Sequence, residues 1–223
     1  GPDSLALSFL TKIYSIKNSL KVHYFLVDHG LRKNSSEEAK FVKTLLKKSS
    51  IRLGILKWNG KKPKSNIQSI ARAKRYALLK RQCQILKINY ILMGHHKYDL
   101  IENFFIRILR GSGLNGMVSF DNKSEIQNIN IIRPLLNFSK DDLTFIANKV
   151  FKTYIQDTSN ENENFKRVKI RNLIKALQSE GLDTEKFNLT IKNLKFANES
   201  IKFFTSKNIN NNSITLKRKK SIL

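Results

Sequence analysis

A single cysteine, Cys83, stands among 223 residues. One thiol excludes an internal disulfide framework, a Cys-x-x-Cys metal knuckle and a sulfur relay between two cysteines of the chain. Its setting, Arg81-Gln82-Cys83-Gln84-Ile85-Leu86 in a helical stretch, reads as a packed thiol. No apolar run approaches the roughly 20 residues needed to span a bilayer. No signal peptide or internal repeat is recognisable, so no membrane partner is expected and the cytoplasm is the default location. Acids are scarce: 17 Asp and Glu face 42 Lys and Arg, a net charge of +25. So large a charge repels itself in a compact chain, and a polyanion such as nucleic acid is the economical partner. A composition rich in Lys, Asn and Ile contributes to that surplus independently of any partner.

What is present reads as alternating helices and strands. Leu5–Ile16 reads as a helix that follows an opening loop, and Lys21–Val27 as a strand. Ser35-Ser36-Glu37-Glu38 has the spacing of a capping box, opening a helix whose buried stripe is Ala39, Val42, Leu45 and Leu46. Ile51–Trp58 is a second strand and Gly60–Lys64 a basic loop. Asn66–Lys87 is a long helix with Ile67, Ile70, Ala71, Ala77 and Leu78 inward. Tyr90–Met93 then reads as a buried strand leading to an acidic helix. Ile131–Leu136 is extended, and Ser139 caps a helix over Lys140–Val150. Asp157–Asn160 is a turn and Phe165–Leu177 a basic helix. Phe187, Ile191, Leu194, Ile201 and Phe204 mark an amphipathic helix. A polar tail holds Asn208–Asn212 and Lys217–Lys220. The expected fold is α/β: a doubly wound parallel sheet over residues 1–180, with a helical appendage and basic tail at 181–223. Such a sheet places its ligand at the carboxyl ends of its strands. The strand that should precede the opening loop, in the middle of the sheet, is not in the chain. Either the chain is truncated there or Gly1-Pro2 is a protease scar.

The residues that carry chemistry follow those strand ends. Gly1-Pro2-Asp3-Ser4 is a phosphate-loop-like fragment before a helix, where backbone N–H groups and the helix N-terminus favour an anion. Ser4 can donate its hydroxyl to phosphate, and Asp3 suits Mg²⁺. Val27-Asp28-His29-Gly30-Leu31-Arg32 ends one strand, and Gly94-His95-His96 another. Asp99 and Glu102 lie three apart on one helix face. Taken singly, each has an ordinary structural explanation: caps for Asp3 and Ser4, dipole-favoured acids for Asp99 and Glu102, and a solvated basic face for Arg72 and Arg75. Arg110-Gly111-Ser112-Gly113 reads as a cationic nest for a phosphate of RNA or of a nucleotide. Arg167 and Arg171 share a helix face, four residues apart.

Together with Asn66-Ile67-Gln68, Ala71-Arg72-x-x-Arg75-Tyr76, Arg133-Pro134-Leu135-Leu136, Asp157-x-Ser159-Asn160 and Phe165-x-Arg167-Val168-x-Ile170-Arg171, these motifs resemble one family in order from Gly1 to about Asn172. That family is the tRNA(Ile)-lysidine synthetases, of the PP-loop (N-type ATP pyrophosphatase) superfamily. The resemblance implies a PP-loop fold that uses ATP and Mg²⁺. It assigns Gly1, Pro2, Asp3, Ser4, His29, Gly30 and Arg32 to the nucleotide, and Asp3 and Asp99 to the metal. It further assigns Asp3, Asp99, Glu102, Arg72 and His95 to catalysis, and Arg110, Ser112, Arg167 and Arg171 to tRNA. Two positions depart from the family: Tyr98 stands where the first of two adjacent acids is usual, and Asn103 where a Thr is usual.

The implied reaction adenylates the ring carbonyl oxygen of the wobble cytidine in a CAU-anticodon isoleucine tRNA, releasing pyrophosphate. The ε-amine of free L-lysine then displaces AMP, with Asp99 or Glu102 able to receive the amine as a cation and take its proton. A homodimer is left open. A tRNA thiolase on the same fold is disfavoured by the lone Cys83. A non-catalytic RNA-binding module is the other alternative, which Tyr98 and the missing strand favour.

Overall fold

The structure is a computed structural model describing residues 1–32, 34–63, 65–126, 128–155 and 166–220, with side chains described as far as residue 207. The Asp157–Asn160 turn and Phe165 lie outside the described residues. The elements are α1 (Pro2–Lys17), β1 (Tyr24–Asp28), α2 (Ser35–Lys48), β2 (Leu53–Lys57), α3 (Ile67–Leu86), β3 (Tyr90–Leu92) and α4 (Lys97–Ile108). They continue with α5 (Leu114–Met117), β4 (Lys123–Ile126), β5 (Ile129–Ile132), α6 (Lys140–Phe151), α7 (Lys166–Ser179) and α8 (Thr184–Lys220). The described residues group into two compact units interleaved in sequence. One holds those of Gly1–Asp99 and Asn122–Asn160; the other holds those of Leu100–Asp121 and Glu161–Leu223. The polar tail expected at Asn208 is a continuation of α8.

The fold is α/β with parallel pairing. β1 runs parallel to β2, Tyr24 facing Leu53 and Leu26 facing Ile55. β3 runs parallel to β5, and β4 returns antiparallel on the other edge of β5. The described strands therefore form two sheets, in which β1 and β3 each pair on one side only. The β4–β5 hairpin went unseen in the sequence because β4, Lys123-Ser124-Glu125-Ile126, carries a single apolar residue and so shows no alternating run. Period-2 alternation places Tyr24 and Leu26 on one face. There they pack with Leu5 of α1, Leu45 and Leu46 of α2, Ala147 and Phe151 of α6, Ile51 just before β2 and Leu53 at its start. α1 and α6 meet again through Ala6, Leu135 and Leu143. α3 covers the other sheet, Cys83 and Tyr76 lying against Ile91, Ile129 and Ile131.

Several expectations need correction. Tyr90–Met93 is not a buried strand: Tyr90 is 59% and Leu92 38% exposed, and Ile91 and Met93, on the other face, are only partly buried against the cluster around Cys83. Ile67 is exposed and so is Ala77, whereas the buried residues of α3 are Ala71 and Cys83. On α8, Ile191 is buried but Ile201 and Phe204 are bare. Apolar periodicity identifies a helix and says nothing about what arrives to cover each turn. Ser35 does not cap α2, whose N-cap is Asn34 with no side-chain bond. Glu38, needed for the box, instead accepts from Arg32 at 2.7 Å. The box that does form is at α6, where Ser139 and Asp142 bond reciprocally. Ser139→Ala should therefore cost about 1 kcal/mol, measured as a shift in the urea midpoint.

In the second unit, Phe187 stacks on Phe105 with ring centroids 5.3 Å apart and meets Phe104 edge-on. Lys195 donates to Asp121 at 2.7 Å. These contacts fix α8 against α4 and the segment that follows α5.

Candidate active site

Gly1-Pro2-Asp3-Ser4 is not a loop ahead of the helix: Gly1 is the N-cap and Pro2 opens α1. Proline suits that place, since its fixed φ is already helical and the missing N–H has no acceptor there. Asp3 and Ser4 thus occupy the first turn, whose N–H groups the helix does not use. Ser4 is exposed. The loop from β3 to α4 lies against this turn, a Cβ at Gly94 falling 3.3 Å from the Asp3 carbonyl oxygen. Glycine at 94 permits that approach.

This contact brings Asp3 and Asp99 together, with an imidazole at both. Nε2 of His96 lies 3.6 Å from Asp99 Oδ2 and 4.0 Å from Asp3 Oδ2. The backbone N–H of Tyr98 donates to His96 Nδ1 at 3.2 Å, so Nδ1 is the acceptor and the ring hydrogen sits on Nε2, facing the carboxylates. Asp99 Oδ2 also accepts the His96 backbone N–H at 2.9 Å, the reach-back of a capping-box acid at the head of α4. His96 is 7% exposed. Burial pushes the Asp3 carboxyl above the usual carboxylate range; His96 opposes this, Asp99's charge adds to it, and Lys140 opposes it.

The imidazole between the acids is therefore His96, where the family resemblance had given the active-site role to His95. Neighbouring residues leave a strand end in opposite directions, and the motif does not say which one points inward. The His96-x-x-Asp99 spacing, that of an N-cap and its third helical residue, was the available signal.

Asp3 Oδ1 is buried without a hydrogen-bond partner. Two carboxylates at one point, one with an unused oxygen, fit Mg²⁺, which takes one or two carboxylates and completes its shell with water and phosphate. Among the described residues no group of three or more His, Cys, Asp or Glu could hold a metal by itself.

His29, Gly30 and Arg32 are organised differently. Asp28, buried at the end of β1, accepts the Gly30 N–H at 2.9 Å and the Ser36 hydroxyl at 2.6 Å. Gly30 has φ +58°, which a side chain would strain. Lys62 Nζ donates to the carbonyls of His29 and Trp58 at 2.6 and 2.8 Å and lies 4.3 Å from the Trp58 ring centre. Arg75 Nε donates to His29 Nε2 at 3.4 Å. Burial and then Arg75's charge lower the His29 pKa. Lys62 and Trp58 were not foreseen, although the basic loop and the strand end were. Arg32 pairs with Glu38. Arg72 donates to the Tyr76 hydroxyl at 3.2 Å on its own helix.

Burial alone would raise the Asp28 pKa, but the bonds from Ser36, Gly30 and Ser35 and the charge of Lys57 leave it below the usual range. Such a group stabilises the fold above the unfolded pKa of about 3.9, and the contribution is lost as pH falls through the lower folded value. Asp28→Ala should cost about 2–3 kcal/mol at pH 7. The gap from the unsubstituted protein should close at strongly acid pH in urea titrations.

In the second unit, Glu102 is 2% exposed. Arg171 Nε on α7 donates to its Oε1 at 2.5 Å. The turn after α4 is not a nest. Gly111 N–H donates to Ile108 and Ser112 N–H to Arg107, closing the helix C-terminus, so those two amides are not open to an anion. Arg167 is half-buried in the first turn of α7.

An α/β fold with paired carboxylates at the first turn of one helix and the head of another defines the class. The chain belongs to the PP-loop domain family, whose description matches residues 1–177. It is similar to the tRNA(Ile)-lysidine synthase of Wolbachia pipientis wMel, 38% identical over 207 residues, covering 92% of this chain and 48% of that protein. It is equally similar to the tRNA(Ile)-lysidine synthase of Orientia tsutsugamushi (strain Boryong), 38% identical over 177 residues, 79% of this chain and 40% of that one. The chain spans about half the length of these curated relatives or less. Among solved structures, the U34-tRNA thiolase NcsA from Methanococcus maripaludis with its [4Fe-4S] cluster matches with a TM-score of 0.69 and 15% identity, over 89% of this chain and 69% of that one. That likeness concerns the fold alone.

Proposed function

We propose that the protein is an ATP-dependent ligase that forms lysidine at the wobble cytidine of an isoleucine tRNA with a CAU anticodon. The observation that carries the reading is the meeting of Asp3, His96 and Asp99 beside the first turn of α1, in a chain 38% identical to proteins named for this reaction. The carbonyl oxygen of the cytosine base attacks the α-phosphorus of ATP, and pyrophosphate leaves. The ε-amine of lysine then attacks the ring carbon, AMP leaves with the oxygen, and the nitrogen sheds its protons.

The α1 first turn and the Ser4 hydroxyl bind phosphate, with Gly1, Pro2, His29, Gly30 and Arg32 framing the nucleotide. Asp3 and Asp99 would hold Mg²⁺, which supplies positive charge to the departing pyrophosphate. The Nε2–H of His96 orients both carboxylates, and Arg72 adds positive charge toward the phosphates. Glu102 receives the lysine ammonium and then its proton. Arg110, Ser112 and Arg167 meet tRNA phosphates. Among the described residues no helix is long and apolar enough to cross a membrane; a reaction on tRNA and ATP fits a cytoplasmic location.

The test is ATP-dependent incorporation of labelled lysine into this tRNA, followed together with AMP and pyrophosphate. Equal amounts of the three products support the reading. RNA binding with no release of AMP would leave the binding-module alternative standing.

A further inference from the structure

Arg171 and Arg167 share a face of α7, and their spacing suggests two grips on a phosphate backbone. The structure gives Arg171 other work. Its Nε donates to Oε1 of Glu102, 69 residues away in sequence, at 2.5 Å. The Glu102 side chain is 3% exposed, while that of Arg171 is 35% exposed. Each partner sits beside residues that fix it. Ile101 and Phe104 flank Glu102 on α4, and Ile170 and Ile174 anchor α7 beside Arg171; all four are buried. The second carboxylate oxygen, Oε2, is buried with no hydrogen-bond partner. A carboxylate out of water needs its cation, and a buried acceptor without a donor costs free energy. Arg171 answers the first need through one oxygen and leaves the other available.

We propose that Arg171 is a positioning residue: it clamps Glu102 so that Oε2 is presented to the primary ammonium of the amino-acid substrate, and it does not act by gripping nucleic acid. The identity of that substrate rests on the lysidine-forming reading above. Asp99, which could also have received the amine, spends its Oδ2 on the His96 amide and lies beside His96 Nε2. Of the two acids on α4, Glu102, one helical turn further along, is the one with a buried oxygen that has no hydrogen-bond partner. Oε2 is enclosed, so an alkylammonium reaches it only when a covering side chain moves. The gain is selectivity: three N–H donors and a positive charge satisfy this oxygen, whereas a neutral side chain of similar length leaves it unpaired.

The experiment uses the full chain with Arg171→Lys, Arg171→Gln, Glu102→Gln and the double variant Glu102→Gln/Arg171→Gln. It reads tRNA Kd against salt, KM for lysine and kcat for its incorporation, and the urea midpoint. Under the proposal Arg171→Gln and Glu102→Gln each lower kcat/KM for lysine by about 10²-fold, and the double variant falls no further, since the two act as a unit. Arg171→Lys, which keeps a donor and a charge, recovers part of the loss. The tRNA Kd and its salt slope stay unchanged in all four. A phosphate-gripping Arg171 gives the opposite pattern: weaker tRNA binding, a log–log salt slope smaller by about 0.7–0.9, and an unchanged KM for lysine. That result, or additive losses at the two positions, overturns the proposal. Should a single variant fail to fold, the double variant, which leaves no lone buried charge, carries the salt-slope measurement. If the unsubstituted protein incorporates no lysine, the ligase reading fails. The clamp is then decided separately by the salt slope and by whether the two substitutions are coupled in urea.

Discussion

Asp99→Asn is expected to abolish ATP-dependent release of AMP and pyrophosphate, lowering kcat by about 10³-fold or more, while the protein stays folded. The two consequences separate because Asp99 does two things. Its Oδ2 accepts the His96 backbone N–H at the head of α4, a bond that the amide oxygen of asparagine can replace with little loss. Its negative charge, beside Asp3 and His96, has no substitute in asparagine. Circular dichroism and the urea midpoint should therefore stay near those of the unsubstituted protein as turnover disappears. Retained turnover would remove Asp99 from the reaction. Asp3→Asn should be as inactive yet no less stable at pH 7. Burial pushes the Asp3 carboxyl up and Asp99's charge adds to this, so its ionised form costs the fold free energy.

The second large effect is on stability. Leu143 is 0% exposed and packs with Ala6 and Leu135, joining α6 to α1. Leu143→Ala removes a buried side chain and leaves a cavity, at a cost of about 3–4 kcal/mol. With a urea dependence of about 2 kcal/mol per molar, the midpoint should fall by roughly 1.5–2 M. Asp3 and Ser4 begin the helix that Ala6 anchors, so ATP affinity should weaken as well. A midpoint shift below about 0.5 M would mean that the α1–α6 contact carries little of the fold.

Local chemistry made some features legible in the chain. Ser139 and Asp142 form a capping box between residues three apart, and among the described residues no distant hydrogen-bond partner displaces either. Ser35 and Glu38 have equivalent spacing, yet Arg32 takes the Glu38 carboxylate. The motif cannot report such a competitor. Arg110-Gly111-Ser112-Gly113 was read as an open nest because its composition allows one. The Arg110, Gly111 and Ser112 amides are spent on α4, since the last carbonyls of a helix need donors and Gly111 at positive φ supplies the bend. At His95-His96 the motif located the loop and the family resemblance named His95, whereas the imidazole beside Asp3 and Asp99 is that of His96.

From order and composition alone come the family, the alternation of helix and strand, and the acids and bases at the strand ends, because those depend on residue type and on spacing along one element. Which side chains meet was settled by packing. Gly94 against Asp3 set the geometry in which His96 faces both acids, and α7 lying beside α4 turned Arg171 onto Glu102. Contacts between residues dozens of positions apart depend on how whole helices and sheets bury their apolar faces, a balance spread over many side chains that no short motif contains.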